Sequence, residues 1–308
     1  MFKFFLIFLK KLQSYSLLFL FGLIINNNIL NASTELANTV LNQPIGAHSS
    51  AVGEAYVTSS NDVFGIHYNP AMQLNDRQVS LLYQTGIIDD KFGAIGFGFP
   101  IGSYNLSTTL LYYNAGNIDL VDINNNLINV NSQTDYLWTL SLSKEFIQEL
   151  SIGGSLKILN STLLNQFSAS TFLFDVGANY TINKQAKIGI SAQNFGKGIK
   201  YFEATDKLPK IIRVGFSYQF DQFLEPSSDA ILFFDVVKIS NDNLKNNIGL
   251  EYIFKKTFCF RSGYKIGYDL EDLSLGFGLI FKKYSIDYAF IPFGNLGNTH
   301  KIGLSAKF

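Results

Sequence analysis

The chain has 308 residues, equal numbers of basic and acidic side chains, 16% charged residues and 15% aromatic residues. Balanced charge excludes the basic footprint of a nucleic-acid binder, and a single cysteine, Cys259, excludes an internal disulfide framework. Sparse charge with abundant Phe, Tyr and Gly points to a β-rich protein that keeps much apolar surface.

Residues 1–32 read as an export signal. Lys3, Lys10 and Lys11 give a basic start, Leu17 to Ile25 an apolar core, and Ala32 with Ser33 a small-residue cleavage zone. As an uncleaved anchor the run falls short of the roughly 20 residues a helix needs to cross a bilayer, and Asn26, Asn27 and Asn28 interrupt it. The sequence has no later run of that length. An exported, aromatic-rich chain without such spans is either a secreted β protein or an outer-membrane barrel.

Residues 33–76 follow neither the strand period nor the helix period. Gly46, Gly53 and Gly65 permit bends, and Asn69 followed by Pro70 marks a turn. Val52, Tyr56, Phe64, Ile66 and Tyr68 make the stretch too apolar for a disordered tail. An irregular backbone at membrane depth is tolerated only inside protein. This stretch is therefore expected to fill the lumen of a wide barrel as a hatch.

From 77 to 308 the chain becomes a series of short alternating segments between turns. About fourteen can be counted, from QVSLLYQT at Gln78 to HKIGLSAKF at Phe308, most of them eight to twelve residues long. That length suits tilted membrane strands of about ten residues, and the even count suits a closed up-and-down antiparallel barrel. In one segment Ile212, Val214, Phe216, Tyr218 and Phe220 share a face opposite Arg213, Gly215, Ser217 and Gln219. In the last, Ile302, Leu304, Ala306 and Phe308 oppose Lys301, Gly303, Ser305 and Lys307.

Connections alternate in length. Ala115 to Gln133, Asn160 to Ser168 and Phe195 to Leu208 are long, whereas Gly102 to Tyr104, Asn183 to Gln185, Lys255 to Thr257 and Lys282 with Lys283 are tight. Long loops on one side and short turns on the other are the asymmetry of a membrane barrel. Asp221 to Ser228 is a longer exception, and Asn117 to Val130 reads as an extra hairpin. A secreted β-sandwich alternates faces too, but it predicts neither the even count nor this asymmetry. Ile302, Leu304 and Phe308 are the expected barrel-assembly signal, which makes lipid and the barrel assembly machinery the first partners.

The inner face collects charges of both signs. Lys157, Lys187, Arg213, Arg261, Lys265 and Lys301 share it with Asp175, Asp235, Glu251 and Asp287. Membrane-depth charges need partners, so these are expected to pair with one another and with the hatch. Cys259, between Phe258 and Phe260, reads as a packed structural thiol. A nucleophilic cluster inside this stretch is conceivable with His48, Ser49 and Asp62, but nothing in their spacing fixes a geometry. No enzyme, metal site or cofactor is expected.

Two stretches resemble the PorV/PorQ family of outer-membrane proteins. The opening one is Gly46-Ala47, Gly53-Glu54-Ala55, Asp62 and Tyr68-Asn69-Pro70-Ala71-Met72; the closing one runs from Arg261 through Leu275 and Ile286 to Pro292–Ile302. Ala192 to Gly196 and Leu208 to Phe216 are similar to its middle segments. The family often has Trp where this chain has Tyr68. The resemblance implies a barrel related to FadL-type channels, with Asn69, Pro70 and Ala71 as the hatch motif. It also implies an adapter role in type IX secretion, with secreted cargo proteins as partners. The alternative is a FadL-like passive channel for hydrophobic small molecules.

Overall fold

The computed structural model describes residues 40–86, 90–121, 125–294 and 297–308. The export signal expected at 1–32 lies outside the described residues, as does its cleavage zone at Ala32 and Ser33.

The strands are β1 (Gln78–Thr85), β2 (Lys91–Ile101), β3 (Tyr104–Asn114), β4 (Asn117–Val121), β5 (Leu127–Asn131), β6 (Gln133–Ile147), β7 (Leu150–Leu163) and β8 (Phe167–Thr181). They continue as β9 (Ala186–Gly196), β10 (Ile211–Phe220), β11 (Asp229–Ile239), β12 (Leu244–Phe254), β13 (Phe258–Ile266), β14 (Leu273–Phe281), β15 (Tyr284–Pro292) and β16 (Asn298–Lys307). Fourteen of them form one closed antiparallel barrel, and β4 with β5 forms a separate two-stranded hairpin between β3 and β6.

Closure is made by β16 on β1, in register from Gln78↔Lys307 to Thr85↔His300. The Phe308 backbone N–H extends this seam by donating to Arg77 O at 2.9 Å. Every barrel strand thus has two partners, which is the only way a sheet satisfies its backbone in an apolar medium.

Side chains of period two sort onto two surfaces. Ile212, Val214, Leu250, Phe260, Tyr264, Ile302 and Leu304 are all exposed on the outside, whereas Arg213, Glu251, Arg261, Lys265 and Lys301 are buried inside. Such apolar surface, repeated around the ring, far exceeds the few hundred Å² a water-soluble monomer tolerates. It is stable only against an apolar medium, as in a transmembrane barrel. Cys259 is packed in the structure, with surroundings other than the two adjacent rings. It is buried on the inner face, while Phe258 and Phe260 point outward, so the thiol does not pack between them.

The two barrel ends differ as expected, with one correction. β7 and β8 stay paired to Leu163↔Phe167, so only Leu164 to Gln166 connect them. Polar cross-strand pairs carry the ladder into water: Thr162 Oγ1 meets Ser168 Oγ at 2.9 Å, and Ser170 donates to Asn160 at 2.6 Å. The longer connection after β10 folds onto the barrel, with the Phe223 ring 6.0 Å from that of Phe220 and 6.3 Å from that of Tyr252.

Candidate functional site

The segment from Val40 to Asp76 lies against the inner wall. It holds two 3₁₀ turns, Val40–Asn42 and Val63–His67, and one short helix, α1 (Ala47–Ala51). Regular structure satisfies little of this backbone, so the wall does. Ser191 donates to Tyr68 O at 2.6 Å, Ser151 to Ala71 O at 2.9 Å, Ser143 to Met72 O at 3.0 Å, and Lys301 to Pro44 O at 2.5 Å. Carboxylates take the N–H groups: Asp235 accepts from Tyr56 at 2.6 Å and Val57 at 2.9 Å, and Asp135 accepts from Val40 at 2.8 Å. Leu74 N–H donates to Asn105 at 3.0 Å, after which only the exposed Asn75, Asp76 and Arg77 precede β1.

Asn69 is the most connected residue of the segment. Its amide nitrogen donates to Val57 O, Ala178 O and Asn179 Oδ1 at 3.0, 3.1 and 2.9 Å, and its Oδ1 accepts Ala71 N–H at 3.0 Å. One side chain ties two parts of the segment to β8 and shapes the Pro70–Ala71 turn. The wall makes room for that turn, and for the backbone at Gly53, by omitting side chains. A Cβ on Gly153 would stand 2.1 Å from Pro70 O, and one on Gly263 would stand 2.0 Å from Gly53 N.

The lumen charges form separate groups rather than one network. Glu251 and Arg261 are direct cross-strand neighbours. Arg261 bonds Glu251 at 2.7 Å and Asp287 at 2.6 Å, and His48 of α1 reaches Glu251 at 3.2 Å. Lys265 bonds Glu54 of the segment and, at 2.5 Å, Glu271 of the β13–β14 loop. Asp175 pairs with Lys157 at 2.7 Å. Arg213 is held more loosely: it lies 4.0 Å from Glu54, donates to Gln193 at 3.4 Å and sits over the Tyr68 ring at 5.2 Å. Asp235 spends one oxygen on the segment's backbone, as described. Lys187 reaches Ser60 at 3.3 Å.

His48, Ser49 and Asp62 are not brought together. His48 faces Glu251, Ser49 donates to Ile45 O at 2.6 Å, and Asp62 caps Phe64 N–H at 3.0 Å while accepting from Tyr56 OH at 2.7 Å. His300 lies on the outer face, with Nδ1 2.7 Å from Tyr288 OH.

Two features escape a period-two pattern. The first is an apolar layer in the half of the lumen nearer the long loops. Leu82, Phe92, Leu111, Leu137, Leu159 and Leu173 point inward there and cluster with Val40, Leu41 and Ile45 of the segment. Strands β3, β6, β7 and β8 carry apolar residues on both faces at this level, so alternation alone does not reveal which are inside. The second is a bulge in β9. Between Phe174↔Phe195 and Val176↔Ala192 the register shifts, placing both Gln193 and Asn194 opposite Asp175. Asn194 has φ 62°, a conformation Asn tolerates. Its N–H donates to Asp175 at 2.8 Å, its Oδ1 accepts from Lys157 at 2.8 Å, and its Nδ2 donates to Pro209 O at 2.9 Å. Beneath it lies a cavity of about 30 Å³, lined by Leu41, Ile45, His67, Leu137, Asn194 and Arg213 among others. Such a volume holds about one water.

Two titratable groups of the segment respond to this setting. Burial, aided by the Lys157 ammonium, holds the His67 ring well below the ordinary imidazole range. For Glu54, burial acts upward, but Lys265 and Arg213 outweigh it and keep the carboxyl below its usual range. A released His67 takes up a proton below about pH 6.5 that the seated one refuses, and a released Glu54 does so below about pH 4.3. Seating is therefore full above pH 6.5 and weakens by up to about tenfold per pH unit below it, first through His67. Hydrogen exchange of residues 45–74, corrected for its intrinsic pH dependence, should show this loss of protection. In His67→Gln the slope between about pH 6.5 and pH 5 should flatten.

No family model matches the chain, and no curated protein matches it in sequence. Solved structures match it in fold. The toluene transporter TodX of P. putida superposes with a TM-score of 0.62 at 11% identity, over 86% of this chain and 98% of that one. The CymD monoaromatic hydrocarbon channel gives 0.55 at 14% identity, over 86% and 97%. A FadL homologue of Pseudomonas aeruginosa gives 0.54 at 12% identity, over 90% and 99%. These likenesses do not bear on PorV/PorQ membership. At such identities what is shared is the fold, and the chain has the fold of FadL-like channel barrels.

Proposed function

We propose that the protein is a bacterial outer-membrane channel of FadL type that passes hydrophobic small molecules down their gradient, without a chemical step. The observation that carries this is the apolar layer from Leu82 to Leu173, closed from below by Val40, Leu41 and Ile45. A passage for ions or sugars gains nothing from such a lining, because apolar walls offer polar solutes no replacement for their water. An apolar solute leaves water on entering it. The segment from Val40 to Asp76 acts as the hatch, held by polar contacts that can be exchanged for water when it yields. The fold likeness to channels named for toluene and monoaromatic hydrocarbons supports the same substrate class.

The test is uptake of toluene by liposomes carrying the purified chain. Uptake should exceed that of empty liposomes, and Leu159→Asn should reduce it about tenfold, since an unpaired amide in an apolar passage costs roughly 1–3 kcal/mol. Uptake equal to that of empty liposomes would sink the proposal. The export-linked adapter role ranks second. Its one structural support is the projecting hairpin β4–β5, whose Ile118, Leu120 and Ile128 are exposed. Unchanged secretion of cargo in cells lacking the protein would remove that role.

A further inference from the structure

A larger cavity, of about 310 Å³, opens at the long-loop end of the barrel directly above the β9 bulge. Its wall is Asn194, Gly196 and Gly198 from β9 and the loop after it, Lys207, Leu208 and Lys210 from the approach to β10, and Ser240 with Asn241 from the β11–β12 turn. The loop is folded into shape by its own contacts. Ile199 and Asp206 exchange both backbone hydrogen bonds, at 3.0 and 2.8 Å, and the Ile199 and Leu208 side chains are buried in the apolar layer. Ser240 N–H donates to Lys210 O at 2.9 Å, fixing the turn to the loop. The cavity is therefore built before any ligand arrives.

Its chemistry is one-sided. Among the described residues its only charged lining residues are Lys207 and Lys210, and no Asp or Glu lines it. Neither lysine makes an ion pair with a described residue. The Lys210 ammonium instead sits 5.6 Å from the centre of the Phe195 ring. Asn194 lines both this cavity and the small one described above, so it stands between the two spaces. A cavity of about 150 Å³ is enough for benzene, so this one has room for a ring together with a polar group and its water.

We propose that this pocket is a docking site for a compact organic anion, one carboxylate on a body about the size of one aromatic ring. The carboxylate meets Lys207 and Lys210, and the ring lies toward Leu208 and Asn194. The inference rests on the channel function and narrows it, making charged aromatics, not only neutral ones, part of its substrate range.

The test uses the full chain with benzoate, toluene and inorganic phosphate as probes. In detergent solution benzoate should bind saturably, and Lys207→Gln with Lys210→Gln should weaken it by about five- to tenfold, as expected for two exposed charge contacts. Replacing both lysines by Arg should restore binding, which shows that the loss is one of charge and not of folding. Toluene uptake into liposomes should be the same in all three proteins. Benzoate affinity unchanged in the double Gln variant would overturn the proposal. So would phosphate competing as well as benzoate, because the site would then read charge without a ring. Absence of toluene uptake would instead count against the channel function, while the binding result would still decide the pocket.

Discussion

Placing valine at Gly263 should drive the hatch out of the barrel. The added Cβ would stand 2.0 Å from Gly53 N and 2.4 Å from the Val52 carbonyl carbon, both backbone atoms that no rotamer change can move. Gly53 itself has φ +65° and presses on the same strand, so the segment cannot retreat by a small local shift. Overpacking of a fixed backbone costs about 1–3 kcal/mol or more, and the same displacement breaks the contacts of Val57, Tyr56 and Glu54 with the neighbouring strands. The barrel should still assemble, because its strand ladder is untouched. Residues 45–74 should become open to protease from the short-turn end, and small polar solutes should leak through the protein in liposomes. Valine at Gly93, where a Cβ meets only Leu82 O at 3.5 Å, should do neither. Full protection of the segment in Gly263→Val would show that the close approach does not hold it.

Arginine at both Ile302 and Leu304 should abolish assembly. These residues are 47% and 45% exposed on the outer face of the strand that closes the ring. A lipid-facing arginine costs about 2–4 kcal/mol each at mid-depth, and here the cost falls on the seam itself, where β16 must find β1. Removing Phe308 should have the same direction and a smaller size, since it deletes the bond to Arg77 O and an aromatic side chain at the edge of the apolar belt. The check is heat-modifiable migration on gels together with whole-cell protease protection. Normal amounts of folded protein from the double arginine variant would refute the assignment of this strand.

How much of this was legible in the sequence follows from what a strand's period can report. Period two separates faces wherever they differ in character, so Ile212 and Val214 against Arg213, or Ile302 and Leu304 against Lys301, are assigned without ambiguity. It is silent where both faces are apolar, as at Leu137 beside Trp138, and that is where the apolar layer lies. The long loop expected from Asn160 to Ser168 is mostly strand, and it was misjudged because Thr162, Ser168 and Ser170 are polar, and polar strands in water look like loops. Asn69 stood out by its position before Pro70, but its four partners come from β8 and from a distant part of the segment. The bulge at Gln193 and Asn194 left one trace, an Asn at the end of a strand close to Gly196. Counting residues along one strand does not give the pairing partner's count, and a bulge is a difference between two counts. The division of the lumen charges into groups depends on which strands are neighbours and on His48 and Glu54 of the inner segment, which the alternation of a single strand does not report.

Asn75, Asp76 and Arg77 join the hatch to the first barrel strand, and three residues reach at most about 10 Å. If the proposed channel function holds, a hatch pushed aside by a passing molecule stays at the mouth it left, at an effective concentration of the order of millimolar for so short a link. Re-seating is then an intramolecular event whose rate does not depend on how much protein the membrane holds. On the proposed channel function the passage would work as a door fixed at one edge, drawn shut by a link within the same chain.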